Sequence, residues 1–132
     1  MSLTGLDHLV LCVSDVGRTI AFYRDLLGME PREERPGKWT LHFGANKISL
    51  QDAATAPEIA RATVPGSGNF CILTDEPIER LVERLGEAKV RIVAGPGDRE
   101  GATGTIRSVY FHDPDRNLVE ISNPRPRGRD TS

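Results

Sequence analysis

No stretch of this chain approaches the roughly 20 consecutive apolar residues that a membrane-spanning helix needs, so a helical membrane protein is not expected. No charge of one sign dominates. Acids and bases are interspersed and sum to −2 over 132 residues, which supplies neither a nucleic-acid footprint nor a patch for a charged membrane surface. The clearest basic cluster, Arg125, Arg127 and Arg129, alternates with proline and glycine and reads as a disordered tail over 125–132. Cysteine is scarce: Cys12 and Cys71 form no CxxC pair and fall in expected strands, which points to free thiols. The GxGxxG spacing of a dinucleotide site is missing. No basic N-terminal region precedes an apolar run, so the expectation is a cytoplasmic protein.

What is present fits one compact domain over 5–124 with a modest core, since 38% of the residues are hydrophobic. The most informative stretch is VYFHDPDRNLVEISN at 109–123, which alternates like a β-hairpin. Val109, Phe111, Val119 and Ile121 share one face, and Tyr110, Leu118, Glu120 and Ser122 the other. Asp113-Pro114-Asp115 supplies turn chemistry, with both aspartates free to bond their own backbone. Glu120 is the anomaly: a carboxylate inside an apolar strand is costly unless it is exposed, paired or bound to a cation. A second apolar strand, near the N-terminus, carries a single imidazole, His8. Alone, such a histidine is more often a satisfied structural residue than a ligand.

Between these strands the pattern repeats. Ser14 or Asp15 can cap a helix whose apolar positions Val16, Ile20, Tyr23, Leu26 and Leu27 recur at helical spacing until Gly28 ends it. Strands follow at 30–34, 39–43 and 47–51, and an Ala/Pro/Thr-rich linker with a short helix at 57–62 separates the halves. The second half gives a strand at 69–74 and a helix capped by Asp75 whose face is Ile78, Leu81, Val82 and Leu85, weakened at Gly86. A strand at 91–93, a glycine-rich loop at 95–104 and the hairpin complete it. Each half, 5–52 and 69–123, is too short to bury a full core alone, so the expected fold is α+β, with two βαβββ modules forming one curved mixed sheet.

These motifs resemble the vicinal oxygen chelate superfamily, which holds glyoxalase I, the bleomycin and fosfomycin resistance proteins and the type I extradiol dioxygenases. The matching residues are Asp7-His8-Leu9-Val10-Leu11, the helix segment Phe22-Tyr23-Arg24-Asp25-Leu26-Leu27-Gly28-Met29, and Asp113-Pro114-Asp115-Arg116-Asn117-Leu118-Val119-Glu120-Ile121, where the family's motif has glycine in place of Arg116. The wording of the last segment is similar to that of little-characterised glyoxalase-domain-containing proteins.

The resemblance implies that the sheet curves around a cup-shaped site, with a metal at four positions on its floor, one on the first and one on the last strand of each half: His8 and Gln51, Asn69 and Glu120. Matching TLHF with SVYF makes His42 equivalent to Tyr110 and places both toward the cup, with Trp39 also lining it. Arg99 on the glycine-rich loop could grip an anionic ligand. The implied ion is divalent: Fe, Mn, Ni, Co or Zn. Two departures weaken the implied reactions. Asn69 stands where the dioxygenases have a second histidine, and Gln51 stands where glyoxalase I has a glutamate, although an amide cannot act as a general base. Glu120 would then be both ligand and catalytic base, and His42 is a candidate replacement ligand. The readings left open are a metal-dependent lyase, isomerase or dioxygenase-like enzyme acting on a small oxygen-rich molecule, a metal-free small-molecule binding protein of the bleomycin-resistance type, and a structural module. A homodimer is expected in each case, because short strands leave sheet edges to cover.

Overall fold

The computed structural model describes residues 1–2, 4–55, 60 and 63–124. The tail at 125–132 lies outside these residues, and so does nearly all of the helix expected at 57–62. The element order is β1 (His8–Val13), α1 (Val16–Leu27), β2 (Glu30–Arg35), β3 (Lys38–Phe43) and β4 (Asn46–Asp52), then β5 (Asn69–Leu73), α2 (Ile78–Glu87), β6 (Ile92–Gly101), β7 (Gly104–His112) and β8 (Leu118–Pro124). This is the α+β pattern of βαβββ written twice. Hydrogen bonding builds it as two four-stranded mixed sheets, β1-β4-β3-β2 and β5-β8-β7-β6. In each sheet the first and last strands pair in parallel, and the helix between them provides the crossover that parallel pairing requires. The chain clusters into two compact units, Met1–Gly68 with Pro114–Arg116, and Asn69–Asp113 with Asn117–Ser132. Among the described residues no helix is long and apolar enough to cross a membrane.

In the first unit Asp15 is the helix cap. Its Oδ1 accepts the Arg18 amide at 2.9 Å. Gly28 closes the helix in the left-handed region at φ 70°, where a side chain would be strained, and its amide reaches the Arg24 carbonyl at 3.0 Å. The apolar side of the sheet buries Leu11, Val13, Leu41, Ile48 and Leu50 together with Tyr23 and Leu26 of α1. Full burial of each such side chain contributes roughly 1.5–3 kcal/mol.

From Asn69 onward the structure departs from expectation in three places. Asp75 lies too far ahead of the first helical residue to cap it. Instead the Ile78 amide donates to Asn123 Oδ1 at 2.9 Å, and Asn123 Nδ2 donates to the carbonyls of Thr74 at 2.8 Å and Glu76 at 2.7 Å. One amide of β8 thus fastens the β5–α2 connection. The glycine-rich segment is a strand rather than a loop: β6 pairs with β7 from Ile92 opposite Phe111 down to Gly101 opposite Gly104. Gly95, at φ 84°, is required there because a Cβ would collide with the Ser108 carbonyl oxygen. The hairpin turn also divides its work unequally. Asp113 binds locally, accepting from the Asn117 amide at 2.9 Å and side chain at 2.7 Å. Asp115 reaches Ser14, accepting from its backbone amide at 3.2 Å and from its hydroxyl. Arg116 occupies the left-handed region at φ 68°, at the place where the family's motif has glycine. Val109, Phe111, Val119 and Ile121 form the buried face as the alternation predicts, at most 4% exposed.

Candidate functional site

Alternation gives each sheet an apolar side against its helix and an opposite polar side. On the first sheet the register lays His8, Lys47, His42 and Glu30 across the four strands as one row, followed by Val10, Ser49, Thr40 and Arg32. His8 has a side chain 43% exposed, and its Nδ1 lies 2.8 Å from Asp7 Oδ2. Lys47 donates to Glu34 Oε2 at 2.9 Å. His42 Nε2 is 3.7 Å from the same oxygen and 2.9 Å from the Thr40 hydroxyl. Glu34 sits at a bulge in the β2–β3 ladder. The hydrogen bond from Lys47 holds the Glu34 carboxyl below its ordinary pKa.

This arrangement bears on three expected site residues. His8 and His42 are separated by two strand spacings, roughly 10 Å, with the Lys47 strand between them, so His42 does not stand beside His8 as a second ligand. Trp39 alternates with Thr40 and His42 and therefore shares the face of Leu41, which is fully buried; it is not on the polar side. The third concerns Gln51, which lies opposite Cys12, four residues along from the position opposite His8. In the second sheet Asn69 lies opposite Leu118, and Glu120 only two residues along. With His8 superposed on Asn69, the residue matching Glu120 is Ser49, and Gln51 matches Ser122. The same superposition sets Thr40 on Tyr110 and His42 on His112. The repeat is therefore two residues out of step with the correspondence drawn from the TLHF and SVYF segments.

The polar side of the second sheet carries Glu120. Its row is Cys71, Glu120, Tyr110 and Ala94, and the next is Leu73, Ser122, Ser108 and Gly97. The Ser108 hydroxyl donates to Glu120 Oε2 at 2.6 Å, and the Ser122 hydroxyl lies 3.4 Å from the same oxygen. The two hydroxyls are 2.6 Å apart and buried, and Cys71 Sγ is 3.2 Å from Ser122. Glu120 itself is half-buried. Burial, followed by the neighbouring Glu120 carboxylate, raises the Tyr110 phenol above its ordinary pKa. Burial raises the Cys71 thiol too, with Glu120 acting in the same sense. Cys12 is raised by burial and then by Asp115 and Asp52. Both cysteines are therefore thiols near neutral pH and not activated nucleophiles. The Arg99 guanidinium lies over the Tyr110 ring, 5.4 Å from its centroid. Asn69 is exposed at the start of β5.

Glu120, Tyr110, Arg99 and Asn69 thus belong to one sheet, whereas His8, His42 and Gln51 belong to the other. Among the described residues no group of three or more His, Cys, Asp or Glu side chains converges as an ion-binding cluster. The residues that sequence reasoning passed over are Ser108, Glu34 and Lys47. Ser108 was within reach, because it is in phase with Tyr110 and two residues before it. Glu34 was within reach too, in phase with Glu30 and Arg32 of the same strand.

The family model described as Glyoxalase/Bleomycin resistance protein/Dioxygenase superfamily matches residues 5–121. Virulence protein STM3117 of Salmonella typhimurium is 44% identical over 124 residues, spanning 92% of this chain and 85% of that protein. Its crystal structure overlays with a TM-score of 0.90 at 42% identity, covering 95% of this chain and 100% of that one. The glyoxalase domain-containing protein RDO1 of Mycosarcoma maydis is 38% identical over 124 residues, 93% of this chain and 70% of that protein. A metallothiol transferase, FosB of Lysinibacillus sphaericus, is 27% identical over 123 residues, 92% of this chain and 83% of that protein.

Proposed function

Because the chain belongs to the Glyoxalase/Bleomycin resistance protein/Dioxygenase superfamily, we propose that it binds a small oxygen-rich molecule directly on the polar side of its second sheet, with Glu120 as the central acceptor. The supporting observation is the way Glu120 is held. A half-buried carboxylate that is fixed by the hydroxyls of Ser108 and Ser122 keeps acceptor capacity for a ligand hydroxyl, and its orientation is set before the ligand arrives. Tyr110 and Asn69, on the same side of the sheet, add further donors.

The metal implied by the family fits the donor set poorly. Of the four expected ligand positions only His8 and Glu120 offer strong donors. Asn69 and Gln51 are amides, and the register replaces Gln51 with the Ser49 hydroxyl. The pairing partner of His8 is Lys47, which offers no acceptor atom to a cation and whose ammonium donates to Glu34 Oε2 at 2.9 Å. No catalytic step is therefore routed through an ion. A metal-dependent enzyme using His8, Asn69 and Glu120 with Fe, Mn, Ni, Co or Zn is the second reading, favoured by the similarity to a metallothiol transferase. In either case we place the protein in the cytoplasm as a homodimer. Among the described residues four of the eight strands are sheet edges, and light scattering that returned a monomer mass at micromolar concentration would remove the dimer.

Turnover assays with methylglyoxal plus glutathione, and with catechol, each in the presence of the five metals, separate the two readings. Direct binding predicts weak or no turnover in both. Robust turnover that is lost in Glu120→Gln would overturn it in favour of the metalloenzyme.

A further inference from the structure

Arg24, Arg32, Arg84 and Arg107 each hold a carboxylate at 2.6–2.9 Å. Arg99 is placed differently. Its Nη1 donates to the Asp98 carbonyl at 2.9 Å, and its guanidinium carbon lies above the Tyr110 ring. An aromatic face orients a guanidinium and strips part of its water without neutralising it, so the cation stays available to an anion. The strand carrying it is positioned by close backbone approach. Gly95 lies against the Ser108 carbonyl, a Cβ at Gly101 would meet Ile106 Cγ2 at 2.9 Å, and Arg99 itself lies opposite Ile106. Tyr110 is in turn the cross-strand partner of Glu120. On one side of one sheet, a cation, a phenol and a carboxylate therefore follow one another in that order.

We infer that this order specifies the ligand class: a small hydroxylated acid whose carboxylate or phosphate meets Arg99 and whose hydroxyl donates to Glu120, with Tyr110 between. The inference rests on the proposed binding role of Glu120 and adds the requirement for an anion. A neutral polyol satisfies Glu120 and leaves Arg99 without a partner. A doubly anionic ligand with no hydroxyl would set a negative group against Glu120.

The test uses three probes on one carbon skeleton, glycerol, glycerate and glycerol 3-phosphate, titrated calorimetrically into the full chain and into Arg99→Met and Glu120→Gln. At least one of the two acids should bind about tenfold or more tightly than glycerol, the scale of a charge-assisted guanidinium contact. That preference should vanish in Arg99→Met, an exposed position, while the free variant still melts in one cooperative transition. Which acid binds assigns the anion as carboxylate or phosphate. Glycerol binding as tightly as both acids, or a preference that survives Arg99→Met, overturns the inference; if that binding is still lost in Glu120→Gln, the proposed function stands. Absence of binding by all three probes overturns both.

Discussion

The polar sides of the two sheets are built from similar residue types and end in opposite states. On the first sheet the carboxylate of Glu34 is taken by Lys47 and approached by His42. On the second the carboxylate of Glu120 accepts from the hydroxyls of Ser108 and Ser122, and the nearby cation, Arg99, rests on an aromatic ring. An ion pair satisfies itself. A carboxylate and a guanidinium held apart by a phenol leave complementary surface for a ligand. On the first sheet Glu34, beside the irregular register at Glu33 and Arg35, reaches Lys47; on the second, Arg99 lies on a strand with register shifts of its own and rests on Tyr110. The lesson is that a motif match locates polar side chains, but pairing decides which of them remain available.

The coarsest way to break the comparison is through the cores, which should be alike. Phe111→Ala should cost about 3–5 kcal/mol and Leu41→Ala about 2–5 kcal/mol by chemical denaturation, because both side chains are fully buried and leave cavities. A loss under 1 kcal/mol in one unit would mean that its sheet does not depend on its apolar side. The helix starts should differ next. Asn123→Ala removes three hydrogen bonds to the β5–α2 connection and should cost about 1–3 kcal/mol. Asp15→Ala, which removes one cap, should cost about 1 kcal/mol. Equal losses would deny Asn123 its wider role.

Smaller still is the pH effect, and its sign is fixed. The folded-state pKa of Glu34 lies below its ordinary 4.5, so its contribution to stability is present above that value and is lost as pH falls through the depressed one. Wild-type protein should therefore lose stability in this acid range more steeply than Glu34→Gln, as thermal melts across pH 3–6 would show. Parallel profiles would mean that the Lys47 pair contributes nothing measurable.

Much of this was legible beforehand. The two βαβββ modules, the Gly28 stop and the buried faces of the β7–β8 hairpin all follow from periodicity, because apolar alternation and helical spacing are local signals. β6 was not legible: GPGDREG has no apolar period, and its strand state comes from the close backbone approach that its glycines permit. The cap of α2 was equally hidden, since Asn123 acts across 45 residues. Sequence alone singled out Glu120, Tyr110 and Arg99, which the structure sets on one side of the second sheet. It misplaced Trp39 by ignoring alternation with Thr40, and it matched Gln51 with Glu120 where the register matches Ser49, because register depends on pairing and not on where a motif ends. The resemblance named four ligand positions, but it could not report that Lys47 pairs with His8.

The central claim, that Glu120 serves a ligand directly and not through an ion, is tested most directly by metal stoichiometry. Protein purified without chelator would be dialysed to equilibrium against micromolar manganese, iron, nickel, cobalt or zinc and analysed by mass spectrometry of the elements. The account predicts well under one ion per chain for every metal, unchanged in His8→Ala and Glu120→Gln. One ion per chain, reduced at least tenfold in both variants while the fold is retained, would contradict it.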